Sequence, residues 1–339
     1  MRPVLLACLL LISTVSAQGQ ETGSEPDTAT IRVTTRYVLL DALVRNKKTG
    51  NLVGTLDAED FRLEEDGVPQ KITYFSRDQL PLSVVFLFDL TDTVRPVLKP
   101  LAAGASEILG HLKPQDEVAV MVFSSHTDLL QDFTNDRALA AAAIDKAAAM
   151  KSEDGTFINE DMYEAVDRAM QSTLPDGRRV LVWLTDGTSN RENSSTQRTI
   201  GKGAPTRLRT KEESVKHLQR SGAVVAALIE RSGATDAMVA TSYINPFSLL
   251  RVRTGAIKRY ANLTGGPVLT ADKQNVPARL AALLDEIRGR YTLGYKPTTP
   301  KPDGTFCSLE LDLSPNIRAT HPDFHKAEWI VQTKAGYYR

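Results

Sequence analysis

Cysteine is nearly absent. Only Cys8 and Cys307 occur in 339 residues, and Cys8 lies within an amino-terminal apolar run. Removal of that run leaves Cys307 alone, which excludes an intramolecular disulfide and puts the burden of stability on a packed core. Long hydrophobic stretches are equally scarce. Beyond Val4 to Val15, nothing approaches the roughly 20 apolar residues that a membrane-spanning helix needs. Neither sign of charge is in excess: Lys plus Arg and Asp plus Glu number 41 each, a balance that offers nothing to nucleic acid or to an anionic membrane. Nor does the chain carry a G-x-S-x-G elbow, an H-E-x-x-H helix or a P-loop, so the commonest routes to hydrolysis and nucleotide chemistry are missing.

What is there begins with an export signal. Met1-Arg2 precedes the apolar run, and Val15-Ser16-Ala17 supplies the small residues of a cleavage site, so residues 1–17 read as a secretory signal peptide and the protein as exported, periplasmic or secreted. Leu5-Leu6-Ala7-Cys8 has the look of a lipobox, but its cysteine sits inside the apolar run instead of after it. Residues 18–30 are polar and read as a disordered leader. From Ile31 the pattern turns to β-branched alternation, and residues 31–78 read as a β segment. Lys47 to Asn51 is a turn within it, Asp57 to Phe61 a single helical turn, and Glu65-Asp66-Gly67 a hairpin between Phe61–Glu64 and Lys71–Phe75.

Residues 80–290 alternate apolar strands with amphipathic helices, which predicts a doubly wound α/β domain with a mostly parallel, Rossmann-like sheet. One helix is expected over Val94 to His111, others over Asp136 to Met150 and Ile158 to Ser172. Ser189 to Thr210 and Ser232 to Leu250 read as surface insertions. Residues 291–339 return to β, with strands at Tyr291 to Tyr295, Phe306 to Leu313 and Trp329 to Lys334. Neither flank alone has enough strands to be stable, so the two are expected to pair into one small sandwich-like module.

The chain is organised around Ser83 to Thr93, SVVFLFDLTDT. Its apolar half is a strand buried on both faces, and Asp89 falls at the carboxyl end with Thr91 and Thr93 following at alternate positions. Two further oxygen-bearing stretches adjoin strand or helix boundaries: Gly155-Thr156, and Thr185-Asp186-Gly187 after the strand Arg179 to Thr185. In an open parallel sheet, carboxyl ends of neighbouring strands share one rim where ligands collect. Side-chain oxygens of Asp89, Thr91, Thr93, Thr156 and Asp186 would give a hard, oxygen-only set that suits Mg²⁺ or Mn²⁺ better than zinc or copper, with one coordination position left open.

In this arrangement the sequence resembles the von Willebrand factor A domain and its metal-ion-dependent adhesion site, whose ligands follow D-x-S-x-S, a Thr in a Gly-Thr loop, and the Asp of a T-D-G turn. Asp89, Thr91, Thr93, Thr156 and Asp186 stand at those positions in order, with threonine in place of both serines. The segments Gly50 to Phe75, Arg290 to Pro297 and Ala335 to Arg339 are similar to the flanks of a bacterial, Acidobacteria-type group of such proteins. The resemblance implies a non-enzymatic protein whose metal accepts an Asp or Glu carboxylate from a protein partner. It implies no covalent chemistry.

Two other readings stand beside it. One is a metal-free structural or assembly module of the cell envelope. The other is a phosphotransferase of the haloacid dehalogenase kind, whose strand ends D-x-D-x-T; here Thr91 occupies the place of the second Asp and removes the proton donor. His321 and His325 read as surface residues, since Pro322 breaks any helix that would pair them. Arg191, Arg198, Lys202, Arg207, Arg209 and Lys211 form a basic, solvated insertion.

Overall fold

Alternating strands and helices assemble into a six-stranded sheet covered on both faces. The computed structural model describes residues 37–77, 80–151, 156–187, 209–231, 254–317, 321 and 329–339. The signal peptide, the leader, residues 31–36, Gly155, His325 and nearly all of both insertions lie outside the described residues.

The central sheet comprises β5 (Leu82–Asp89), β6 (Glu117–Phe123), β7 (Thr127–Thr134), β8 (Arg178–Thr185), β9 (Val224–Glu230) and β10 (Val268–Ala271). Its order is β10-β9-β8-β5-β6-β7; all pairings are parallel except that of the edge strand β7. Every residue of β5 is buried, as a strand with helices on both sides requires. Alternate side chains face opposite layers. Val84, Phe86 and Phe88 pack with α1 (Arg95–Ala103), α2 (Ala105–Gly110), α3 (Arg137–Ala149) and α7 (Val276–Arg288). Val85 and Leu87 pack with α4 (Ile158–Met170), α5 (Lys211–Ser221) and α6 (Gly255–Thr264). The chain is therefore doubly wound, as its alternation predicts.

The single helix expected over Val94 to His111 is two helices. Pro100 lies inside the first, and Gly104 separates it from the second.

The flanking segments interleave. One four-stranded sheet has the order β13-β1-β11-β4, from β1 (Val38–Asn46), β4 (Ile72–Ser76), β11 (Tyr291–Tyr295) and β13 (Trp329–Gln332). The other has the order β14-β12-β2-β3, from β2 (Phe61–Glu65), β3 (Val68–Gln70), β12 (Phe306–Leu313) and β14 (Gly336–Tyr338). Amino- and carboxyl-terminal strands contribute to both, and their apolar sides share one core with Leu40, Leu63, Leu293 and Leu309 at its centre. The hairpin at Glu65-Asp66-Gly67 differs from expectation. β2 pairs with the short β3, and β4 crosses to the other sheet, where it pairs with β11. No helix among the described residues is long and apolar enough to cross a membrane.

Candidate metal centre

The strand order reverses between β5 and β8, and that switch point is where an open α/β sheet leaves a crevice at the strands' carboxyl ends. Asp89 ends β5 and Asp186 directly follows β8. Both are buried. Asp89 Oδ1 accepts the Thr91 N–H at 2.8 Å, and Oδ2 accepts the Thr185 hydroxyl at 2.7 Å. The Thr91 and Thr93 hydroxyls lie 3.2 Å apart, and Thr93 donates to Asp186 Oδ2 at 2.8 Å. Thr185 Oγ1 in turn accepts the Gly187 N–H at 3.1 Å. Gly187 has φ +81°, a left-handed turn that a side chain would strain, so the T-D-G sequence turns off the strand just where Asp186 must face Thr93.

Four of the five residues singled out in the sequence are thus joined by direct or relayed hydrogen bonds. Thr156, the fifth, is fully buried on the loop entering α4. Its neighbour Phe157 donates its N–H to Asp161 Oδ2 at 3.2 Å, and Asp161 Oδ1 accepts the Thr127 hydroxyl at 2.9 Å.

Asp161 was not among the residues expected. Its carboxyl is buried and its pKa lies well above the usual range, first because of desolvation and further because Asp89 is close enough to repel its charge. In the sequence it stood beside Glu160 in a first helical turn, where an acid ordinarily complements the helix dipole. The signal that could have marked it is its position in the first turn after Thr156, where the helix returns a side chain toward the loop.

Desolvation also pushes the Asp89 carboxyl up to about 6, with the Asp186 charge adding to the shift and the bonds from Thr91 and Thr185 opposing it. Those bonds to Asp89 come from neutral donors, so its charge is solvated but not neutralised. A carboxylate offers about four lone-pair positions, more than the Thr91 N–H and hydroxyl and the Thr185 hydroxyl fill. A buried acid with remaining acceptor capacity, a second acid across the crevice and two hydroxyls between them fit a hard divalent cation by charge and donor type. Threonine offers a hydroxyl oxygen as ligand just as serine does.

A second cluster fits a metal less well. Glu65, Asp66 and Cys307 bring ligand atoms within 4.8 Å of one another. Glu65 accepts from the hydroxyls of Tyr295 and Tyr337, and Asp66 from Lys301 and from the Ser308 N–H and hydroxyl. Burial raises the Cys307 thiol pKa, which disfavours the thiolate a metal requires. His321 is not simply a surface residue: its Nε2 lies 3.1 Å from Oδ2 of the buried Asp60.

No protein-family model and no curated protein matches the chain. Several solved structures are similar to it. The von Willebrand factor domain of the type V pili tip protein Mfa5 from Porphyromonas gingivalis shares 14% identity over 62% of this chain and 96% of that one, with a TM-score of 0.44. The conserved hypothetical protein BatB from Bacteroides thetaiotaomicron shares 14% over 61% and 97%, with a TM-score of 0.39. Proximal thread matrix protein 1 from the mussel byssus, solved with a zinc-occupied metal-ion-dependent adhesion motif, shares 13% over 66% and 49%, with a TM-score of 0.41. One of these structures is described as a von Willebrand factor domain; this chain's own sheet, six strands parallel but for one antiparallel edge, is that of a doubly wound α/β fold.

Proposed function

We propose that this is an exported, non-enzymatic binding protein that grips an acidic side chain of a protein partner through a divalent cation, Mg²⁺ or Mn²⁺, held at the crevice between β5 and β8. Asp89, Thr91, Thr93, Thr156 and Asp186 would hold the cation. The observation that carries this reading is the buried Asp89 carboxylate, bonded to neutral donors and facing Asp186 across a bridge of two threonine hydroxyls. When bound, the cation supplies a Lewis-acidic position for an incoming carboxylate. The chain's own residues set its placement: Thr185 and the Thr91 N–H fix the Asp89 carboxylate, and Thr93 orients Asp186. The phosphotransferase reading has no support at the rim, since Thr91 is bonded as a threonine hydroxyl where that chemistry needs an acid.

One observation favours the metal-free structural reading. Thr93 to Asp186 and Thr185 to Asp89 close hydrogen bonds without a cation. Thermal unfolding separates the two. A cation that binds only the native state at about 100 times its dissociation constant adds roughly 2.7 kcal/mol. The wild type should melt higher in millimolar Mg²⁺ or Mn²⁺ than in EDTA, and Asp89→Ala should lose that difference. Equal midpoints for the wild type in both buffers would favour the structural module.

A further inference from the structure

The metal rim occupies the carboxyl ends of the central strands; a separate cavity of about 450 Å³ opens at the amino ends of β8 and β9, where they meet β1 of the flanking sheets. That volume lies within the usual range for small-molecule sites. Leu40, Leu218, Val224 and Leu263 form the apolar part of its wall. The apolar surface continues outward: the strand register sets Leu39, Gly294 and Tyr74 in one row across β1, β11 and β4. Leu39 is 52% and Tyr74 43% exposed, and both belong to the cavity's lining. Large apolar side chains left in water beside a cavity mark a binding surface more often than scattered exposure does.

The charges lining the cavity do not cancel. Asp41 is fully engaged by Arg178, whose Nε and Nη2 reach its two carboxylate oxygens at 2.9 Å each. Arg178 also donates to the Ile287 carbonyl and the Thr292 hydroxyl. Asp176, the other lining acid, is exposed to solvent. Lys334 has no ion-pair partner among the described residues, and its ammonium donates to the Leu39 carbonyl. Burial lowers its pKa to about 8, and Asp41 opposes that shift without pairing with it. Arg179 Nε is buried and has no hydrogen-bond partner among the described residues. Lys334 and Arg179 thus line the cavity without a carboxylate partner among the described residues, Lys334 also lying over the Tyr337 ring, and a partly desolvated cation gains when an anion joins it.

We infer that this cavity binds a small amphiphilic carboxylate, its anionic head on Lys334 and Arg179 and its apolar body along Leu39, Tyr74 and the wall behind them. Charge selects the head and the unpartnered apolar row selects the body. The site is independent of the metal rim.

Isothermal titration of the full chain with octanoate, and with octanol as its uncharged counterpart, tests this. Octanoate should bind at least ten times more tightly than octanol. Lys334→Met should bring octanoate to the level of octanol, and Leu39→Thr, which removes apolar surface at this half-exposed strand position without adding a charge beside Lys334, should weaken octanoate severalfold. Asp89→Ala should leave octanoate affinity unchanged. Octanoate binding no tighter than octanol, absence of octanoate binding at millimolar concentration, or wild-type affinity in both cavity variants would overturn the proposal.

Discussion

At the scale of single residues, Asp89 carries an unusual conflict. It is completely buried, its bonds come from neutral donors, and its pKa is raised to about 6 from an unfolded value near 3.8. An acid that is weaker when folded holds its proton more tightly in the native state. The stabilisation from that proton is present below the unfolded value and is lost as pH rises through about 6. At one pKa unit per 1.36 kcal/mol, the loss between pH 4 and pH 7 is on the order of 3 kcal/mol. In EDTA, the wild type should therefore lose stability between pH 4 and pH 7 relative to Asp89→Asn, which cannot titrate. Urea unfolding across that window checks it, and parallel pH profiles for the two proteins would contradict it. In millimolar Mg²⁺ the wild type should recover at pH 7, because a cation that neutralises the carboxylate replaces the proton, whereas Asp89→Asn should not respond. Asp161 is a second conflict of the same kind, and its bond to the Phe157 N–H ties the Thr156 loop to α4. Asp161→Ala should weaken the Mg²⁺ response severalfold without removing any proposed ligand, measurable as a higher cation concentration at half-maximal stabilisation.

At the scale of elements, the break between α1 and α2 gives a case where helix propensity and packing predict opposite signs. Gly104 has a negative φ, so replacement by alanine meets no backbone strain and by propensity alone should stabilise by about 0.5–1 kcal/mol. A Cβ at that position would stand 2.7 Å from Pro277 Cβ and 2.9 Å from its Cγ, at the start of α7. The proline ring cannot rotate away. Gly104→Ala should instead destabilise by about 1–3 kcal/mol, the usual cost of overpacking, read as a lower urea midpoint with an unchanged slope. The same element shows why the sequence was only partly legible. Val97, Leu101, Ala105 and Ile108 keep one helical phase through the break, so periodicity reports a single helix. The strands at Ser83 and Arg179 were legible because each is a continuous apolar run that stops at an acid. β4 was paired wrongly, because sequence proximity to a turn does not reveal a crossover between sheets. At the rim, Asp89, Thr91, Thr93 and Asp186 were legible from strand ends, whereas Asp161 depended on how α4 is turned toward the crevice.

At the scale of the whole molecule, the question is what holds the flanking sheets to the α/β domain, and beside the Arg45–Glu286 pair one arginine stands out. Arg178 opens β8, and its side chain is 2% exposed. It holds Asp41 of β1 with two bonds, the Ile287 carbonyl of α7 at 2.7 Å and the Thr292 hydroxyl of β11 at 3.3 Å. The central sheet, a covering helix and two strands of the flanking sheet meet at one guanidinium. Removing one partner of such a buried pair typically costs about 3–5 kcal/mol, because the remaining charge is stranded, whereas removing both costs far less. Asp41→Ala should therefore destabilise strongly, and Asp41→Ala with Arg178→Met should recover much of the loss, a positive coupling that a double-mutant cycle measures directly. The chain also carries its own reporters. Its two tryptophans are Trp183, buried within β8, and Trp329 in β13. With Trp329→Phe and Trp183→Phe each isolating the other's fluorescence, the two signals should share one midpoint in the otherwise unaltered protein, as a single cooperative unit requires. With Asp41→Ala added, the Trp329 signal should fall at lower denaturant than that of Trp183, because the flanking sheets then lose their tie while the doubly wound core keeps its own. Coincident transitions in the Asp41→Ala background would show that the apolar contacts alone couple the two parts, and that Arg178 serves the stability of β8 and not the joining of the sheets.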